Sequence, residues 1–301
     1  MYSKRPCVAE PQDIAAGRTG LDERRPLVTF YLVTYNHERF VRQAVESALA
    51  QTYRPIQFIF SDDCSTDRSF EIMREMAEPY VGKEDILLNR NERNLGTVDH
   101  LNRIFFELAR GKYFVPLAGD DVTSPDRTEK VVTLFESTGA SAVSVNPVMI
   151  DENGQPTGSR FHNQFPHGVL HFREFIGSGS RFFGGGGYAG ELFEIYGPMK
   201  NNVRNEDRIL PLRASVMGGI AYLENPVYFY REHGNNMSFR VKSKLDPVNK
   251  AVYAAAANRN ERQNIENFRQ EIQAVYQGPD RERILAIIEA MLEFHRTRTN
   301  G

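Results

Sequence analysis

Cysteine, long apolar runs and net charge are all scarce in this chain of 301 residues. Its two cysteines, Cys7 and Cys64, lie far apart in unlike surroundings, which points away from a disulfide framework or a zinc site and fits a reducing cytoplasm. No apolar run approaches the roughly 20 residues needed to span a bilayer, and the first residues lack the charged-then-apolar order of a signal peptide. The expectation is a soluble cytoplasmic protein, at most peripheral at the inner face of a membrane. A formal net charge of -2 disfavours nucleic acid as a bulk partner. A GxGxxG loop is also missing. The run Gly184-Gly185-Gly186-Gly187 has neither that spacing nor a clear preceding strand, so it reads as flexible or closely approached backbone.

The pattern that is present alternates strands and helices. Residues 1–25 mix proline, glycine and charge without a period and read as a poorly ordered leader. From Pro26 onward, β-branched and aromatic runs at 27–33, 55–61, 86–88, 112–118 and 142–146 read as strands. Helical periodicity falls between them, clearest in Phe40, Val41, Ala44, Val45, Ala48 and Leu49. Repeated βα units predict a mainly parallel sheet with right-handed crossovers. Residues 151–190 lose the repeat and read as a long irregular segment. A helix at 205–217, strands at 221–223 and 227–230, and two helices at 246–275 and 280–296 complete the chain. The domain reading is a leader at 1–25, an α/β domain at 26–240 and a C-terminal helical appendage at 241–301.

Two acidic pairs fall where such a sheet gathers its chemistry, at the carboxyl ends of strands. Asp120-Asp121 follows the strand at 112–118, and Asp62-Asp63 follows the strand at 55–61. Carboxylates released there are placed to hold a divalent cation, Mg²⁺ or Mn²⁺, and through it phosphate groups. Taken alone, each pair is also a good turn or helix start.

Five segments in order, Val33-Thr34-Tyr35-Asn36, Ser47 to Tyr53, Asp62-Asp63-Cys64-Ser65-Thr66-Asp67, Asn94-Leu95-Gly96 and Gly119-Asp120-Asp121, resemble the signature of family 2 glycosyltransferases with a GT-A fold. The resemblance covers about residues 26–240 and departs from the common pattern at Cys64, where glycine is usual, and at Asp120-Asp121, which replaces a strict Asp-X-Asp. It implies a metal-dependent, inverting transfer of sugar from a nucleotide-diphosphate donor, UDP or dTDP favoured, to a saccharide or lipid-linked saccharide. Bacterial surface polysaccharide or glycolipid assembly is the implied setting. By the same resemblance Asp121 is the principal metal ligand with Asp120 in support, and His233 binds metal or phosphate with Arg231 offsetting charge. Asp63, with Asp62 beside it, accepts from the base N–H. Val33, Tyr35 and Asn36 frame the nucleotide and Asn94 and Gly96 approach it. Asp207, with Glu206 second, takes the acceptor proton.

Two other functions compete. A nucleotidyltransferase shares the sheet and the acids but calls for a basic, glycine-rich loop where this chain has Thr34-Tyr35-Asn36-His37-Glu38. A non-catalytic sugar-nucleotide or glycan-binding module is the other. Arg181, Phe182, Phe183 and Tyr188 read as core or as an acceptor pocket. The apolar stripe from Ile284 to Leu292, with Arg281, Arg283, Arg296 and Arg298 nearby, reads as a packed helix, a homodimer contact or a surface resting on anionic lipid. The remaining histidines, His37, His100, His162, His167, His171 and His295, show no metal-ligand spacing.

Overall fold

The computed structural model describes residues 25–160, 168–178, 182–203, 205–234 and 247–297. The expectations placed on residues 1–24, Cys7, His162, His167, Arg181 and Arg298 lie outside the described residues.

An eight-stranded sheet forms the body. Its strands, in chain order, are β1 (Val28–Thr34), β2 (Ile56–Asp62), β3 (Asp85–Arg90), β4 (Tyr113–Ala118), β6 (Ala142–Val145), β9 (Val169–Leu170), β10 (Gly187–Ala189) and β11 (Ile220–Leu223). Across the sheet the order is β3-β2-β1-β4-β10-β6-β11-β9. The pairs β2/β3, β1/β2, β1/β4 and β6/β11 are parallel, whereas β10 runs antiparallel to both β4 and β6. The predicted mainly parallel sheet is therefore present, with β10 inserted against the grain. That insertion uses the four glycines, because a Cβ on Gly186 would lie 2.1 Å from the Val143 carbonyl oxygen. The run is a closely approached backbone.

Helices cover both faces, so the central strands are apolar on both sides. On one face Phe30, Leu32, Phe58 and Phe60 meet α1 (Val41–Leu49), α2 (Ser69–Ala77) and α4 (Arg127–Thr138). The apolar period of α1 buries Val41, Ala44, Val45 and Ala48, as an amphipathic helix must. On the other face Tyr31, Ile59 and Phe114 meet α3 (Thr97–Arg103), α6 (Glu191–Tyr196) and α7 (Glu206–Val216). α3 changes character at its end: after Arg103 it widens into a π-helical turn over Ile104–Leu108, closed by Ala109 N–H to Ile104 O at 2.8 Å.

The irregular segment expected at 151–190 holds more structure than its pattern shows. A second, four-stranded sheet, β5-β12-β7-β8, joins β5 (Val122–Thr123), β7 (Val148–Ile150), β8 (Pro156–Arg160) and β12 (Tyr228–Arg231). A short helix, α5 (Phe172–Ser178), follows β9. These strands are short for periodicity to reveal, and apart from the β7/β8 pair their partners are far away in sequence.

The last two helices, Pro247–Val275 and Arg281–Thr297, do not stand apart from the body. Ile265, Phe268, Ile272, Ile284, Ile288 and Leu292 belong to the same apolar cluster as α6 and α7. The apolar stripe from Ile284 to Leu292 thus packs largely inside, as the packed-helix reading expects. Among the described residues no helix is long and apolar enough to cross a membrane. Phe182 and Tyr188 are core residues, and Phe183 packs edge-on to Tyr228, so these aromatics serve packing.

Candidate active site

Because β3, β2, β1 and β4 are parallel neighbours, their carboxyl ends open on one edge of the sheet. The crevice between β1 and β4 is the point where chain order reverses. Asn36, Asp63, Asn91 and Asp120 all emerge there. The N-terminus of α7 is brought to the same edge: α7 feeds β11 through a three-residue turn, and β11 is parallel to β6 and, through β10, to β4.

The loops after β1 and β2 are stapled to each other. Asn36 N–H donates to Ser65 Oγ (2.9 Å), Thr66 N–H to Asn36 Oδ1 (2.8 Å), His37 N–H to Ser69 Oγ (2.8 Å) and Glu38 N–H to Asp67 Oδ2 (3.0 Å). Both loops need a left-handed residue to turn so sharply, Asn36 at φ 57° and Cys64 at φ 61°. Position 64 is where the resemblance expects glycine, and the positive φ is the physical reason. Tyr35 projects into solvent at 43% exposure, while the Val33 carbonyl is taken by Gly119 N–H at 2.8 Å.

The two acids of the first pair have different surroundings. Asp62 is fully buried and turned inward, accepting from Ser65 N–H (2.8 Å) and Ser65 Oγ, with Arg90 Nε at 3.5 Å. It starts the turn into α2. Burial pushes its carboxyl above the usual range against those bonds. Asp63 accepts from Leu95 N–H (2.8 Å), Gly96 N–H (2.9 Å) and Asn91 Nδ2 (2.8 Å). Asp63 thus ties the Asn94-Leu95-Gly96 loop to the end of β2 and keeps at most one lone pair for a ligand. Asn94 Oδ1 shares the Gly96 N–H at 3.0 Å, and Gly96 needs its lack of a side chain for φ 77°. Beneath this clamp runs a buried polar chain, Asn91, Asn89, Ser61 and His100, ending in a Ser61–His100 bond of 2.6 Å. Burial pushes the His100 imidazole down to about 4, so it stays neutral.

At the end of β4 the roles of the two acids separate again. Asp121, expected as the principal ligand, faces inward. Its Oδ2 accepts from Tyr228 OH (2.7 Å), its Oδ1 from Arg231 N–H (2.8 Å), and it is 2% exposed. Burial and the neighbouring Asp120 charge push its carboxyl well above the ordinary range. Asp120 is the outward-facing acid. Its Oδ2 accepts from His233 Nε2 at 3.0 Å and lies 3.7 Å from His37 Nε2. Burial alone would raise its carboxyl, but the His233 hydrogen bond and the charges of His37 and His233 hold it below the usual range.

The second sheet creates this division. β12 pairs with β5, directly after Asp121, and places Tyr228 and Arg231 behind that acid, while His233, just past β12, meets Asp120. Arg231 does not face the crevice as expected. It is fully buried, giving Nε to Asp120 O (2.8 Å), Nη1 to Asp151 O and Glu152 O (3.1 and 3.0 Å) and Nη2 to Gln43 Oε1 (2.7 Å). Its cation therefore clasps backbone carbonyls and the Gln43 side chain, over the Phe40 ring, which also packs at a tilt against His233. His37, which shows no metal-ligand spacing in the sequence, lies beside Asp120, while Gln43, Tyr228 and the buried Arg127, which contacts Pro116 O and the Tyr228 ring, carry no functional signal there. Only His37 carried a signal, its place directly after Asn36.

Among the described residues no three His, Cys, Asp or Glu side chains are grouped so as to hold an ion by themselves. The closest approach is the Asp120–His233 contact, with His37 beyond it. Two protein donors at the mouth of a crevice fit an ion such as Mg²⁺ or Mn²⁺ that takes its remaining ligands from phosphate and water.

Glu206 and Asp207 form the first turn of α7. Glu206 is half-buried and Asp207 reaches solvent, yet protein crowds around both. Desolvation by the surrounding protein, and then the Asp207 charge, push Glu206 up to about 7, and the same crowding raises Asp207. A carboxylate near 7 is suited to proton transfer at neutral pH. α7 is held from behind by Arg213, fully buried and bidentate to Glu271 (2.9 and 2.7 Å), with Nη1 on Gly197 O at 3.0 Å.

Residues 29–197 match the family model described as Glycosyl transferase family 2. The chain belongs to that family. An uncharacterized glycosyltransferase of Haemophilus influenzae is 33% identical over 114 residues, covering 38% of this chain and 34% of the relative. The chain therefore spans about a third of that relative's length. Among solved structures, S. aureus TarS 1–349 in complex with UDP-GlcNAc superposes with TM-score 0.61 at 17% identity, covering 87% of this chain and 71% of that one. The mannosyltransferase PcManGT from Pyrobaculum calidifontis, in complex with GDP-Man and Mn²⁺, gives TM-score 0.54 at 18% identity over 92% and 84% of the two chains. These likenesses establish the GT-A-like fold of this family 2 member.

Proposed function

We propose that this family 2 protein is a metal-dependent, inverting glycosyltransferase that moves a sugar from a nucleotide-diphosphate donor to a hydroxyl of a saccharide or lipid-linked saccharide. The observation that carries the reading is the convergence on one sheet edge of the Asp63 clamp, the Asp120–His233 pair and the Glu206-Asp207 turn. TarS with UDP-GlcNAc and PcManGT with GDP-Man and Mn²⁺ support a nucleotide-sugar donor and a divalent cation.

In this reading residues 26–240 form the transferase domain, and the C-terminal helices brace it. Val33, Tyr35, Asn36 and the Asn94–Gly96 loop frame the nucleoside, and the spare lone pair of Asp63 receives the N–H of a uracil or thymine base. Asp120 and His233 hold the cation, with Asp121 positioning Asp120. That cation supplies Lewis-acid neutralisation of the charge that grows on the diphosphate. Asp207, with Glu206 as alternate, accepts the proton of the acceptor hydroxyl as its oxygen bonds the anomeric carbon. The bond from that carbon to the diphosphate oxygen breaks, and the centre inverts because displacement is single. The setting is surface polysaccharide or glycolipid assembly at the cytoplasmic face of a membrane.

Calorimetric titration of UDP, dTDP, GDP and their sugar conjugates, with Mn²⁺ and with chelator, tests the reading. Metal-dependent binding that Asp120→Ala abolishes is the expected result. Absence of binding by every nucleotide to folded protein would sink it and favour a glycan-binding module.

A further inference from the structure

Along the outer face of α3 runs a cleft of about 360 Å³ that meets the donor-site residues only at Leu95, in the loop clamped by Asp63. One wall is Leu95, Asp99, Arg103, Phe106 and Glu107, and the other is Pro198. We infer that this cleft is a subsite for a neutral saccharide, the acceptor chain of the proposed reaction. The inference rests on the glycosyl-transfer reading and deepens it.

The lining has the chemistry that sugars require. Phe106 is 42% exposed and packs edge-on against Phe193, at 6.3 Å, so much of its surface faces outward. An aromatic face takes the C–H side of a pyranose, and the Asp99 and Glu107 carboxylates can accept from its hydroxyls. The Arg103 Nε is buried without a hydrogen bond, 3.4 Å from Glu107 Oε2. Two carboxylates against one guanidinium disfavour an anionic ligand such as a diphosphate, and the volume suits one or two sugar rings.

Position points the same way. The π-helical turn over Ile104–Leu108 carries both Phe106 and Glu107, and such widened turns are frequent at functional sites. The opposite wall is pinned by Asn102, whose Oδ1 accepts from Met199 N–H (2.9 Å) and whose Nδ2 donates to Met199 O (2.8 Å). From Pro198 the chain runs on to Glu206 and Asp207, so a saccharide in the cleft lies beside the segment that ends at the candidate base. Arg103 Nη1 also reaches Asn91 Oδ1 (3.0 Å), and Asn91 bonds Asp63. The cleft and the nucleotide clamp therefore share a side chain.

The test is saturation-transfer NMR with a panel of neutral di- and trisaccharides of glucose, galactose, N-acetylglucosamine and rhamnose, in the presence of UDP and Mn²⁺. Wild type is compared with Phe106→Ala, Glu107→Gln and the control Phe294→Ala. The expected result is a saccharide whose affinity falls about tenfold in Phe106→Ala, and falls also in Glu107→Gln, while UDP affinity and the control stay within about twofold. Two results overturn the inference: a bound saccharide that both cleft variants retain, or no saccharide bound at about 10 mM by protein that binds UDP. Wild type that binds neither UDP nor saccharide overturns the glycosyl-transfer reading, and the subsite with it.

Discussion

Cutting Glu271 away from Arg213 should destabilise the whole protein and not merely loosen its last helices. Arg213 is fully buried, and two of its three guanidinium nitrogens bond Glu271, itself 8% exposed. Glu271→Ala leaves a desolvated cation with one carbonyl and the Tyr196 ring for company. Removing one partner of such a pair costs about 3–5 kcal/mol, far above the ~1 kcal/mol ceiling typical of exposed pairs. At about 2–4 °C per kcal/mol for large domains, the melting temperature should fall by roughly 6–20 °C. The sequence has no tryptophan, so far-UV circular dichroism is the suitable probe. Replacing both partners with apolar residues, Arg213→Met with Glu271→Leu, should recover most of the loss, giving a coupling energy of at least about 2 kcal/mol in the double-mutant cycle. A Glu271→Ala cost below about 1 kcal/mol would refute the argument, because water would then reach the pair and the C-terminal helices would not be part of the core.

Other positions give equally direct outcomes. Asp63→Asn removes one carboxylate acceptor from the loop clamp. Amide exchange at Leu95 and Gly96 should accelerate, and nucleotide affinity should fall by about tenfold or more, since bonds to charged acceptors are worth about 1.5–3 kcal/mol. Cys64→Gly relieves a left-handed residue and should stabilise by up to about 1 kcal/mol in urea denaturation, whereas Cys64→Val should destabilise by about 1–2 kcal/mol; the opposite order would remove strain as the explanation. Tyr228→Phe leaves Asp121 short of a buried donor and should cost about 1–3 kcal/mol while weakening Mn²⁺ binding measured by electron paramagnetic resonance. Glu206 sets a pH dependence with a definite sign. Between its ordinary 4.5 and about 7 the native state keeps a proton that the unfolded chain has released, so this group's contribution to stability is lost as pH rises through 7. Glu206→Gln should flatten the change in melting temperature between about pH 5 and about pH 8, and an unchanged slope would show that Glu206 is not the group responsible.

Read residue by residue, the candidate site was half visible before any coordinates. Asp63, Asn94 and Gly96 could be placed because each sits at a loop that a strand or helix period delimits, and such loops collect at one sheet edge by topology alone. Which acid of Asp120-Asp121 faces outward could not be read. Adjacent residues alternate sides, and the choice depends on Tyr228 and Arg231, more than a hundred positions away. Arg231 shows the same limit in reverse: its position beside His233 suggested a cation for the diphosphate, but the pairing of β12 with β5 turned it into the carbonyls of Asp120, Asp151 and Glu152.

Local composition by itself determined the alternating strands and helices of the first half and the acids at the strand ends, because periodicity and turn chemistry act over a few residues. Tertiary structure alone decided the direction of β10, the division of labour between Asp120 and Asp121, the approach of His37 and His233 to Asp120, and the burial of the C-terminal helices against α7. Those outcomes depend on which distant surfaces lose water together. Desolvation rewards whole faces and leaves little trace in any single window of sequence.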